Sequence, residues 1–183
     1  ESFYEAGGFV HQHRDLRFAG VAGIHTGGDR GVAAAAGTGP VEVLDLADVP
    51  FEVVEAYDRA HFAGERAAFL RHWLARPGGH ALGVVEDGRC RGYTVIRPAR
   101  VGHRIGPLFA DDADIAEELF AAAVSRVPGA EVFLDVPERN VEAMAMVARH
   151  GMQEVFGCAR MTLGPPPDLP WNEIFGVTTF ELG

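Results

Sequence analysis

The residues whose types and spacing could do chemistry are few and scattered. His11 and His13 stand one residue apart, a spacing that puts two imidazoles on one face of a strand, as metal ligands sometimes are. No third Cys, His or carboxylate follows at fitting spacing, so the pair reads as strand residues and no metal site is expected. His80 and His103 flank predicted strands and are of the type that serves as a base near neutral pH; a solvated or hydrogen-bonded histidine is the simpler reading of each. Asp135 follows a short apolar strand and Asn140 opens the next helix. Ligands of α/β sheets gather at the carboxyl ends of strands, which makes these two candidate site residues. Asp111, Asp112 and Asp114 crowd the start of another helix, where they would cap it and complement its dipole.

Several chemistries are excluded outright. All sixteen basic residues are arginine, so neither a Walker A loop nor a Schiff-base lysine is present. The two serines, Ser2 and Ser125, both lie outside a G-x-S-x-G elbow. Cys90 and Cys158 stand alone, without C-x-x-C spacing, and do not make a disulfide framework.

The 183 residues, 48% hydrophobic and 23% charged, suit one compact core. A net charge of −10 predicts no affinity for nucleic acid or anionic membrane. No apolar run is long enough to span a bilayer. The opening Glu-Ser-Phe-Tyr carries neither an initiator Met nor a signal pattern, so an internal start and a cytoplasmic location are expected.

A faint repeat divides the chain. Tyr4-Glu-Ala-Gly-Gly8-Phe9 with Arg17-Phe18 matches Val147-Ala-Arg-His-Gly151-Met152 with Arg160-Met161, at an offset of 143. Each copy reads as a helix end, a glycine cap and a strand. Residues 19–39 hold seven glycines and no sustained period, marking a Gly/Ala-rich linker over 21–40. Beyond it, strands are predicted at 41–44, 81–85, 93–96, 105–109, 132–134, 153–163 and 174–182. Helices are expected near 50–57 and 69–74, from Asp112, and from the Asn140 cap, with Trp73 in an apolar stripe of core type. Asp87-Gly88 signals a tight hairpin. The order predicts an α/β (α+β) layer on one mixed sheet flanked by helices.

That order, with Asn140-Val-Glu-Ala143-Met-Ala-Met146-Val147 running into Gly151-Met152, resembles the GNAT superfamily of acyl-CoA-dependent N-acyltransferases. The family's late motif, N-x-x-A-x-x-L-Y-x-x-x-G-F, has Tyr replaced here by Val147 and Phe by Met152. The resemblance covers 41–183 as one GNAT-like domain, with 1–20 as the end of a preceding one. The stretches 105–110, 133–137 and 175–183 resemble the second domain of tandem GNAT proteins. It implies that the strands at 105–109 and 132–134 are parallel, adjacent and splayed at their carboxyl ends.

The resemblance also implies acetyl-CoA as cofactor and a small amine or amino acid as acceptor. The pantetheine arm would run along Leu108, Phe109 and Ala110, near Asn140, with the pyrophosphate on the next helix start. The family's phosphate pattern, Arg/Gln-x-x-Gly-x-Gly/Ala, falls on Asp111, Asp114 and Ala116, and only Ala116 matches. Two carboxylates ~5 Å apart repel by roughly 3 kcal/mol at an effective dielectric of ~20, the wrong sign for a diphosphate. Pro107 removes a main-chain donor, unless it sits at a bulge. Val147 cannot serve as the leaving-group acid; Tyr93 and Cys158 are conceivable substitutes, though each reads more simply as a core or strand residue, and Asp135 remains a catalytic candidate from its place at a strand end. Two functions are therefore expected to compete: an N-acyltransferase, and a non-catalytic GNAT-fold domain with a degenerate acetyl-CoA site. Deprived of its own sheet, the strand at 9–18 is expected to add to a sheet edge, most simply in a two-fold homodimer.

Overall fold

A computed structural model describes residues 2–23 and 41–182. Most of the predicted linker, 24–40, lies outside the described residues. In chain order the elements are α1 (Ser2–Ala6), β1 (Phe9–Val21), β2 (Val43–Asp45), α2 (Phe51–His61), α3 (Ala67–Leu74), β3 (His80–Glu86) and β4 (Arg89–Pro98). There follow β5 (His103–Ala110), α4 (Ala113–Ser125), β6 (Glu131–Pro137), α5 (Val141–Arg149), β7 (Gln153–Leu163) and β8 (Ile174–Gly176).

One sheet carries the eight strands of the described residues, in the order β2-β3-β4-β5-β6-β1-β7, with β8 paired to β5. Strand alternation sorts side chains to its two faces. Leu82, Ile96, Leu108 and Leu134 meet α4 and α5 on one face. Tyr93, Val95, Phe109 and Ile174 meet α2 and α3 on the other. Asp87 and Gly88 both have positive φ, 50° and 75°, as a two-residue hairpin of the primed type requires. The Asp112 side chain accepts from Ile115 N and starts α4, and the Asn140 side chain accepts from Glu142 N and Ala143 N and starts α5. The mixed sheet flanked by helices is the architecture that the sequence pattern predicts.

Two expectations are corrected. First, β1 does not add to an edge. It runs antiparallel between β6 and β7 within its own chain, pairing Asp15–Val21 with Glu131–Pro137 and Phe9–Ala19 with Gln153–Leu163. A strand with ladder groups on both sides is satisfied only by two neighbours, and both lie in this chain. The homodimer expectation rested on this strand and loses that basis. Second, the strand predicted over 174–182 is only three residues long. Because β1 fills the far edge of β6, the tail finds unpaired ladder groups only where β5 and β6 part.

Candidate functional site

β5 and β6 run parallel but pair only from His103–Ile105 to Val132–Leu134. Past Ile105 they diverge. The divergence begins at a bulge, where Thr94 faces Leu108 but Ile96 faces Ile105, and Pro107 sits in the extra length. Its missing donor therefore falls where the ladder is already broken.

The gap is filled by the chain's own tail. Ala110 N donates to Glu173 O at 2.9 Å, Phe109 lies opposite Ile174, and Leu108 opposite Gly176. On the other wall Val177 N donates to Asp135 O at 2.8 Å. The fit leaves no slack. A Cβ on Gly176 would stand 2.5 Å from Leu134 Cδ1, and one on Gly106 would stand 2.7 Å from the carbonyls of Val177 and Thr178. The Asn140 amide nitrogen, from the α5 cap, donates to Asn172 O and Ile174 O at 3.2 and 3.0 Å. One side chain thus holds both the helix start and the inserted tail.

At the α4 start, carboxylates occupy the positions around the helix amides. Asp111 N donates to Arg91 O, while its carboxylate accepts from Arg91 Nε at 2.5 Å and Tyr57 Oη at 2.9 Å. Burial raises the Tyr57 hydroxyl pKa, and the bond to Asp111 raises it further. Arg91 also pairs with Glu86 and, at 3.7 Å, with Asp112. Asp114 is exposed on the first turn, and Ala116 points into the core, fully buried. One guanidinium among four carboxylates leaves the helix start negative. The residues present do not fit acyl-CoA in this cleft: the Leu108–Ala110 backbone is already bonded, and the helix start repels phosphate.

The candidate acids fall into separate networks. Tyr93 is fully buried and donates to Asp58 Oδ1 at 2.5 Å; burial first, then Asp58, raises its pKa well above the usual value. Arg66 grips the same carboxylate through Nε and Nη2 at 2.8 and 2.5 Å and donates through Nη1 to Thr178 Oγ1 at 2.9 Å. Asp135, 5% exposed, receives Arg17 Nε and Nη2 at 2.6 and 2.7 Å. Cys158 faces Asp15 across β1 and β7, and burial raises its thiol pKa. Tyr93 and Asp135 are thus tied to different arginines. The tail connects the two networks, since Val177 bonds Asp135 and Thr178 bonds Arg66. His13 is buried, with Nε2 3.3 Å from Asp15 Oδ1 and its ring 4.6 Å from that of Trp171, whereas His11 is exposed. No group of three potential metal ligands occurs among the described residues.

Asp58, Arg66 and Glu173 were missed by sequence reasoning. Arg66 precedes α3 without a motif, and its partners lie at Asp58, eight residues upstream, and Thr178, 112 residues downstream. The recurrence of Arg17 as Arg160 is the one sequence signal that points to a paired cation. His61 shows the same blindness, with Nδ1 2.8 Å from Tyr57 O and Nε2 3.1 Å from Glu173 Oε2.

Residues 54–176, about two thirds of the chain, match the family model of the acetyltransferase (GNAT) domain. Holothin acyltransferase of Pseudoalteromonas sp. (strain SANK 73390) is 28% identical over 184 residues, covering 100% of this chain and 59% of that protein. A candidate acetyltransferase from Pyrococcus horikoshii has a similar structure, with a TM-score of 0.73 at 21% identity over 100% of this chain and 56% of that one. A GCN5-related N-acetyltransferase from Sphaerobacter thermophilus gives 0.58 at 13% identity over 92% of this chain and 57% of that one. The two structural likenesses show a shared fold, and the chain spans under three fifths of each of these three relatives.

Proposed function

The chain belongs to the GNAT acetyltransferase family, and from that premise we propose that it serves an acyl-CoA-dependent N-acyltransferase, acting on a small amine or amino acid, as a domain that shapes the enzyme without itself holding acyl-CoA. The single observation that carries the second half is the tail of Glu173–Val177 lying between β5 and β6, hydrogen-bonded to both walls. The negative α4 start and the replacement of the family's tyrosine by the fully buried Val147 support the same reading. The first half draws its support from the family membership and from the acyltransferase relative. A net charge of −10 favours a cationic acceptor, as a free amine is at neutral pH.

Calorimetric titration with acetyl-CoA tests the reading. The expected dissociation constant for the 183-residue chain is no tighter than roughly 0.1 mM, about −5.5 kcal/mol, with negligible release of CoA thiol when an amine is added. A low-micromolar constant, or amine acetylation by this chain alone, overturns it. Changing Asp111→Gln and Asp114→Gly together removes two of the carboxylates that oppose the pyrophosphate. A marked gain in affinity would assign the weakness to charge, and no gain would assign it to the filled cleft.

A further inference from the structure

Antiparallel pairing of β1 with β7 brings one pair of residues that are 143 apart face to face. Asp15 lies directly opposite Cys158, and that separation equals the offset of the sequence repeat. The two strands, equivalent in the repeat, are therefore paired about a local two-fold axis at Asp15 and Cys158. Side chains on this face follow the same symmetry. Arg17 lies over Phe180, whose ring meets Phe156 opposite Arg17; Arg160 lies over Trp171, whose ring meets His13 opposite Arg160.

The symmetry is broken in one respect. On its outer side β1 has β6, and Arg17 is held in a two-pronged bond by Asp135, its register partner. On its outer side β7 pairs with no strand among the described residues. Arg160, besides lying over Trp171, has a single long ion pair among the described residues, 3.8 Å to Asp15 Oδ2. Beside it opens a cavity of about 290 Å³ that Gln12, Arg139, Thr162 and Trp171 help to line. Val155, Phe156 and Leu163 on the same strand are more than half exposed.

We propose that the outer edge of β7, over residues 158–163, is a docking site for a β6-type strand of a second GNAT-type unit, antiparallel to β7, with an aspartate opposite Arg160. The axis fixes the register. Arg17 pairs with Asp135 and Phe18 with Leu134, so Arg160 receives the aspartate and Met161 the preceding leucine. The incoming strand completes a ladder that has no outer partner among the described residues, and its carboxylate supplies the short, charge-assisted partner that Arg160 lacks there. The surface is thus a continuation of the β1–β7 interface, and is independent of whether the cleft takes acyl-CoA.

A labelled peptide with the sequence of residues 131–139 is the probe, titrated against the 183-residue chain by fluorescence anisotropy, with amide exchange of 158–163 followed by mass spectrometry. The expected result is saturable binding that slows exchange at 158–163. Asp135→Asn in the peptide and Arg160→Ala in the chain each weaken it by roughly ten-fold or more, while Arg14→Ala in the chain leaves it unchanged. Lack of saturation up to about 1 mM peptide, or binding indifferent to the aspartate, overturns the proposal. So does a chain that sediments as a dimer with 158–163 already protected, since the occupant would then be a second copy.

Discussion

Between β5 and β6 the sheet opens and is closed again by its own chain, whereas among the described residues it ends at β7. In the cleft, Ala110 N and Val177 N both have partners, Asn140 ties the inserted segment to a helix cap, and a single added Cβ at Gly176 would collide with Leu134. At the edge, the outer side of β7 has no strand partner among the described residues, beside an arginine whose one carboxylate partner is distant. Both places border on recognisable family features, yet only the second retains unused bonding capacity. Buried donors left unpaired cost about 1–3 kcal/mol each. A self-paired cleft therefore resists opening, while an edge strand gains by accepting another.

The repeated arginines offer the largest contrast. Arg17→Ala leaves Asp135 buried without its cation and is expected to cost about 3–5 kcal/mol in urea denaturation. Arg160→Ala loses a 3.8 Å ion pair to Asp15 and a place over Trp171 and is expected to cost less, about 1 kcal/mol. Equal losses would mean that the two sides of the local axis are energetically alike, and the comparison would fail.

Next in size is the cleft. Gly176→Val forces a side chain against Leu134 and is expected to destabilise the chain by about 1–3 kcal/mol. Calorimetry on this variant sharpens the contrast: acetyl-CoA affinity should stay weak, because the carboxylates at the α4 start remain. Asn140→Ala removes the α5 cap together with the two bonds to the tail, and thermal unfolding should register about 1–2 kcal/mol.

The smallest effect is kinetic. Burial pushes the Cys90 thiol pKa up to about 12, and burial also raises that of Cys158 to a lesser degree. Iodoacetamide at pH 8 should label Cys158 slowly and Cys90 only on unfolding. The Cys158 rate should rise with pH as its thiolate forms, while Cys90 stays protected past pH 10. Rapid labelling of Cys90 in the native chain would show that the face beneath α2 is less sealed than the cleft requires.

Local signals in the sequence carried much of the fold. The predicted strand 153–163 coincides with β7, and Asp112 and Asn140 cap the helices that follow them. Asp87-Gly88 turns as its type dictates, because a primed turn needs positive φ at both residues. What stayed hidden depended on which distant groups were left over. The three-residue length of β8 follows from β1 occupying the far side of β6, and no window of sequence around 174–182 contains that fact. The site divided in the same way. Asn140 and the aspartates at the α4 start were legible because caps are local, while Asp58, Arg66 and Thr178 were not, because their triad joins three segments.

The placement of β1 has a consequence for how the molecule is made. Phe9–Val21 leaves the ribosome well before either neighbour, since its partners in β6 follow about 120 residues later and those in β7 later still. The hairpins of β3, β4 and β5 need only near neighbours and can form meanwhile. Closing the far side of the sheet must await β6 and β7, at the entropic cost of a long loop. From the emergence of β1 until that of β7 a nascent chain carries a thirteen-residue strand awaiting partners, the interval in which chaperones or a neighbouring polysome product would find it.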